Sequence, residues 1–153
     1  AIAMLFPITA FAQAYVQTWD LVDSGKHLDY DGNSTYMSYI NTGAATWNAY
    51  KSGVIRKDSA FVVEDVYVSD VNASNGWAGM TYSSGKIELN TYYMSGYSNS
   101  KKQNVATHEL GHALGLDHST STDVMDAAIT GHTSTQALSQ NDKDSYDAAY
   151  NNY

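Results

Sequence analysis

Between residues 108 and 125 the chain reads HELGHALGLDHSTSTDVM, which places three histidines, a glutamate, two glycines and a methionine within one short stretch. An α-helix turns once in about 3.6 residues, so His108 and His112 fall on the same face with imidazoles able to converge on one point. Two nitrogens do not complete a metal site. Zinc in a catalytic setting usually takes three protein ligands and leaves a fourth position to water. Gly115 stands where the helix needs a left-handed residue to end, a conformation glycine reaches without steric cost. The chain can then turn back and bring His118 within range as the third nitrogen. Glu109 adjoins the first ligand, where its carboxylate can approach the water without touching the metal, as a general base for hydrolysis does. Zinc lowers the pKa of such a water towards about 7 and polarises a carbonyl. Glu109 would take the proton and pass it to the leaving amine.

The elements that must position these residues follow from periodicity and turn chemistry. HLDYDG (27–32) suggests a short strand closing in a turn, after which Tyr36, Ile40, Ala44 and Trp47 recur at helical spacing and predict a helix over 34–50. VIRK and FVVEDVYVSD (61–70) are rich in β-branched and aromatic residues and predict two strands. GWAGMTY (76–82) and KIELNTYYM (86–94), separated by Ser83-Ser84-Gly85, predict a hairpin, with Gly76 and Gly79 marking an irregular edge strand. Residues 98–115 and 139–153 predict helices, the second opening with Ser139 and Asp142 at capping-box spacing. The expected fold is α+β and sandwich-like. It has a twisted mixed five-stranded sheet with an antiparallel edge strand, a helix carrying the site and a C-terminal helix.

Composition narrows the function classes. The 153 residues, 43% of them hydrophobic, suit one domain with a core of its own. A formal net charge of −8 repels phosphate backbones and anionic lipid, which argues against nucleic-acid and membrane partners. With no cysteine, any transition metal must be held by His, Asp or Glu. AIAMLFPITAFAQA (1–14) is an apolar run ending in Ala12-Gln13-Ala14, the small-x-small pattern that precedes signal cleavage. It suggests the remnant of a secretion signal, with 15–153 as the working domain; a buried N-terminal strand is the alternative. Fourteen residues containing Pro7 do not easily span a bilayer, which takes about 20. The closely spaced acids of DYDGN suggest a calcium loop but lack the rest of the ligand series, so structural calcium is not supported.

The pattern His108-Glu109-x-x-His112-x-x-Gly115-x-x-His118, followed by Met125, resembles the metzincin metallopeptidases, and most of all the matrixins. Ser119 after the third histidine, KHLDY, YINTGAATWNAY and ALSQNDKDSYDAAY stand in matrixin-like order, so the resemblance covers most of the chain. It implies one catalytic zinc on His108, His112 and His118, Glu109 as the base, and Met125 in the turn that floors the metal site. It also implies a substrate laid along the edge strand at Trp77, Ala78, Gly79, Met80 and Thr81, whose small residues let a peptide backbone approach. The freed amine of Tyr15 would approach Asp142 or Asp144 on the last helix.

Several features depart from the family. Met125 leads into DAAITGHTSTQ, without the proline and tyrosine that wall the matrixin pocket. No tyrosine stands two residues beyond Met125 to act as an extra ligand, no cysteine can block the zinc, and residues 53–100 contain no histidine for a second zinc. His27 and His132, outside the motif, are expected to be surface or hydrogen-bonded histidines. Met125 by itself would be ordinary core filler, and a bare HExxH recurs by chance in buried helices; the full spacing makes coincidence the weaker explanation. The expectation is a secreted, extracellular, bacterial, monomeric zinc endopeptidase acting on peptides or proteins. Its rivals are a zinc-binding or adhesion module that does not cleave, and an exopeptidase acting only on free chain ends.

Overall fold

A computed structural model describes residues 13–59 and 62–153. All of the expected signal remnant except Gln13 and Ala14 therefore lies outside the described residues. The order of elements is β1 (Leu28–Gly32), α1 (Met37–Asn48), β2 (Ile55–Lys57), β3 (Val66–Val71), β4 (Gly79–Tyr82), β5 (Lys86–Asn90), α2 (Thr91–Met94), α3 (Asn99–Ala113) and α4 (Gln140–Tyr150). A single 3₁₀ turn lies between α3 and α4 at Ile129–Gly131. The strands form one sheet in the order β2-β1-β3-β5-β4. Four run parallel, and β4 lies antiparallel to β5 at the edge, so the α+β class and the mixed sheet are as expected.

Alternation along the strands sets the core face. Val66 and Val68 of β3 and Ile87 and Leu89 of β5 are fully buried, while Tyr67, opposite Lys86, is exposed on the other face. α1 packs on α3 through Trp47, whose ring is fully buried and whose Nε1 donates to the Thr107 carbonyl at 2.9 Å. Its other neighbour is Tyr146 of α4, met edge-on at 5.5 Å between ring centres. Ser139 and Asp142 form the expected capping box at the start of α4.

Four elements depart from their expected bounds: α1, β3, β4, which begins at Gly79 rather than Gly76, and β5. α1 begins at Met37 rather than Ser34 because Ser34 and Thr35 are tied to β3: the Thr35 N–H and hydroxyl donate to Asp70 at 2.9 and 2.7 Å. Its far end stops at Asn48, whose side-chain amide pairs with the backbone of Ile55 at 2.7 and 3.0 Å and so starts β2. The strand expected over 61–70 begins only at Val66; Val63, 83% exposed, belongs to no strand. Residues 91–94, expected to extend β5, form α2 instead, because the Asn90 side chain accepts from the Tyr92 N–H and caps a helix there.

Candidate metal centre and cleft

α3 starts on Ser98, whose hydroxyl accepts from the Lys101 N–H, and it is buried from Gln103 to Leu110, polar residues included. A helix with polar side chains on its buried faces needs partners for them, and they are present. Its end has the geometry of a Schellman motif: the Leu116 N–H donates to the Gly111 carbonyl at 3.0 Å and the Gly115 N–H to His112 at 2.9 Å. Gly115 has φ +89°, and a Cβ there would also meet the Asp20 side chain at 3.1 Å. The expected role of Gly115 in ending the helix thus has its backbone conformation.

The turn brings His118 back to the two helical histidines. His112 Nε2 lies 3.1 Å from His108 Nε2 and 3.2 Å from His118 Nε2. The first of these is not a hydrogen bond between rings. His108 Nδ1 sits 2.8 Å from the Val124 carbonyl and His112 Nδ1 2.8 Å from the Leu116 carbonyl, and a carbonyl only accepts, so each Nδ1 carries the hydrogen. Their Nε2 atoms are therefore left as lone pairs facing one another. Three nitrogens about 2.0–2.1 Å from a tetrahedral zinc would be about 3.3 Å apart, so the donor set fits that ion. Burial, reinforced by the neighbouring His112, pushes His108 down to about 3, and burial also lowers His112. Both stay neutral at neutral pH, as metal ligation requires.

Glu109 is buried beside this cluster, and burial pushes its carboxyl up to about 7 against the lowering effect of a hydrogen bond from Thr81. The Thr81 hydroxyl lies 2.7 Å from Glu109 Oε2. A cleft of about 410 Å³ opens over the histidines and Glu109. All five edge-strand residues singled out in the sequence, Trp77 to Thr81, line one side, and Ala127, Ile129 and Thr130 line the other. No tyrosine lines it among the described residues.

Met125 is buried against Gly111 of α3. Its N–H and that of Val124 donate to the Asp142 carboxylate at 3.2 and 2.9 Å, and its carbonyl accepts from the Ser119 N–H at 2.9 Å. Asp142 thus spans its own capping box and the methionine turn. With the Ser139 N–H also on Asp142, the Tyr15 N–H reaches α4 one residue beyond Asp144, at the Ser145 hydroxyl, 2.9 Å away.

Sequence reasoning missed other residues of the site. Gln17 and Trp19 line the cleft, and the Gln17 side chain donates to the His112 carbonyl at 2.6 Å. Tyr15 to Leu21 runs beside the end of α3 and supplies partners to the carbonyls of Ala113 and Gly115 that the helix leaves open. His132 pairs with Asp126 at 2.8 Å and clasps the loop that walls the cleft. An isolated Gln, Trp or His far from the motif carries no spacing signal. The acids of DYDGN divide: Asp29 is taken by Arg56 in a two-pronged pair at 2.8 and 2.6 Å, which ties β1 to β2.

A mixed sheet with an antiparallel edge strand over a three-histidine helix-and-turn site defines a zinc metallopeptidase of the metzincin type. The profile of the matrixin family matches residues 9–151, and the chain belongs to that family. No curated protein sequence matches it significantly. Among solved structures it is similar to archaemetzincin from Methanopyrus kandleri, with a TM-score of 0.59 and 12% identity over 85% of this chain and 99% of that one. A likeness to high choriolytic enzyme 1, a hatching enzyme zinc-protease from the medaka Oryzias latipes, has a TM-score of 0.38 and 21% identity over 65% of this chain and 50% of that one. At that score it carries no weight.

Two outcomes are expected. His118 supplies one of three nitrogens from an exposed loop, so His118→Ala should lose most bound zinc by elemental analysis, from a starting content near one ion per chain; retention of zinc would show the ligand set to be wrong. Asp123 is buried, which alone would raise its pKa, but hydroxyls around it, Ser139 and Thr120 first, together with the Asn141 amide hold it at about 2. A folded pKa below the unfolded value of about 3.9 adds stability that is present above that value and lost as pH falls towards 2. Asp123→Asn should lower the melting temperature at pH 6 and narrow the gap to the parent near pH 2; an equal deficit at both would contradict this.

Proposed function

We propose that residues 15–153 form a secreted endopeptidase domain in which Glu109 is the general base. The observation that carries the reading is a desolvated carboxylate lining the same cleft as three converging imidazole nitrogens. When bound, zinc supplies an acidified water and polarises the scissile carbonyl. His108, His112 and His118 would hold the ion through ring nitrogens, two of them fixed in tautomer by backbone carbonyls. Glu109 takes a proton from the attacking water on its free oxygen, Oε1, and returns it to the leaving amine. Gly79 and Met80 of β4 offer an extended substrate the backbone of a sheet edge, and Trp77 and Ala78 continue the cleft wall before it.

A non-cleaving zinc-binding or adhesion module is the rival reading, but it has no use for Glu109. Burying an ionisable group costs free energy that a pure binding site could avoid with glutamine. Cleavage inside a chain is favoured over removal of C-terminal residues because no Lys or Arg lines the cleft among the described residues to take a free terminal carboxylate. Secretion rests on the apolar run before Tyr15, and no described helix is long and apolar enough to cross a membrane.

Glu109→Gln should keep the zinc content and fold of the parent while hydrolysis of an end-blocked peptide falls by about 100- to 10,000-fold. Equal rates in the two proteins would refute the assignment of the base. Cleavage of free-ended peptides alone would refute the endopeptidase reading.

A further inference from the structure

β4 was expected to serve substrate, yet one of its side chains is turned away from that task. Register pairs Thr81 with Ile87 and Gly79 with Leu89, and both partners are fully buried, so residues 79 and 81 share the face turned towards α3. There the Thr81 hydroxyl lies 2.7 Å from Glu109 Oε2 and 2.9 Å from the Glu109 backbone carbonyl. Gly79 completes the seat. A Cβ at this position would stand 2.6 Å from Glu109 Oε1, closer than real carbon and oxygen atoms approach.

We propose that Thr81 is a positioning residue for the general base, with Gly79 shaping the space in which the Glu109 carboxylate lies. This rests on the reading of Glu109 given above. Buried glutamate has three rotatable bonds and would otherwise sample several rotamers. The Thr81 hydroxyl has one hydrogen to give, and the shorter of its two contacts directs it to Oε2, which it holds. Among the described residues, Oε1 accepts no hydrogen bond while Oε2 accepts from Thr81, so Oε1 is left to exchange the proton. The edge strand so acts twice: its backbone lies along the cleft, and on its inward face the Thr81 hydroxyl and the bare Cα of Gly79 set the base. A substrate docked on β4 is thereby referred to the same strand that fixes the catalytic carboxylate.

The test uses the zinc-loaded protein and an end-blocked peptide, with Thr81→Val, Thr81→Ser, Glu109→Gln and the Thr81→Val/Glu109→Gln double variant. Valine keeps the branched shape and removes the hydroxyl; serine keeps the hydroxyl. Loss of a hydrogen bond to a charged group should lower kcat in Thr81→Val by about 10- to 100-fold with KM within about twofold. Thr81→Ser should recover most of that loss at unchanged zinc content, and Thr81→Val should cost nothing further once Glu109 is glutamine. A rise in KM with kcat unchanged would overturn the proposal in favour of a substrate contact. So would an additive loss in the double variant, or failure of serine to rescue. If Glu109→Gln cleaves at the parent rate, the general-base reading falls and this inference with it. If Glu109→Gln is inactive and Thr81→Val is silent, only the positioning role falls.

Discussion

The Nε2 lone pairs of His108 and His112 are held 3.1 Å apart and repel one another, with His118 Nε2 3.2 Å from His112, and much of the surrounding structure serves to keep them there. Nothing in the rings themselves favours that approach. Two of the imidazoles are oriented by carbonyls, Val124 for His108 and Leu116 for His112, and each such bond is worth about 1 kcal/mol net. A dication between the nitrogens turns the repulsion into ligation. Groups that orient metal ligands from outside typically change affinity by about 10- to 100-fold.

The carbonyls can do this only if their own segments are fixed, which accounts for the ties around the site. Val124 is held by Asp142, so the orientation of His108 depends on the capping box of α4. Leu116 is placed by the left-handed Gly115 and by its bridge to Val16. Gln17 closes the same corner by donating to the His112 carbonyl. On the opposite rim, the Asp126 and His132 pair secures the loop that walls the cleft. The base depends on a different element, since Glu109 is seated by β4 and not by α3 alone. Sheet, N-terminal segment and last helix therefore converge on one short stretch of α3 and its following turn.

How far this was legible in the sequence depends on the range of each contact. His108, His112, Gly115 and His118 lie within eleven positions, so helical period and the conformational freedom of glycine suffice to bring them together. The edge strand was legible because two strand-like runs flank a short turn sequence. α1 began late because Asp70, 35 residues away from Thr35, takes its first turn, and no local pattern records that. Val62 and Val63 look like strand by composition, but composition does not say whether a partner lies opposite. Gln17 reaches the site through a bond to the His112 carbonyl, 95 residues away, while His132 pairs with Asp126 only six residues away, in a loop with no regular period. Thr81 was noted for its place on the edge, while the direction of its side chain emerged only from the register with β5.

Whether the three imidazoles are already arranged for the ion is read directly from crystal structures solved with and without zinc, using anomalous scattering at the zinc edge. A single anomalous peak is expected about 2.0–2.1 Å from the Nε2 atoms of His108, His112 and His118, with Glu109 outside the coordination sphere. The three rings and their backbone partners should superpose closely in the two states. An ion bound through other residues, or rings that swing apart when zinc is removed, would contradict that arrangement.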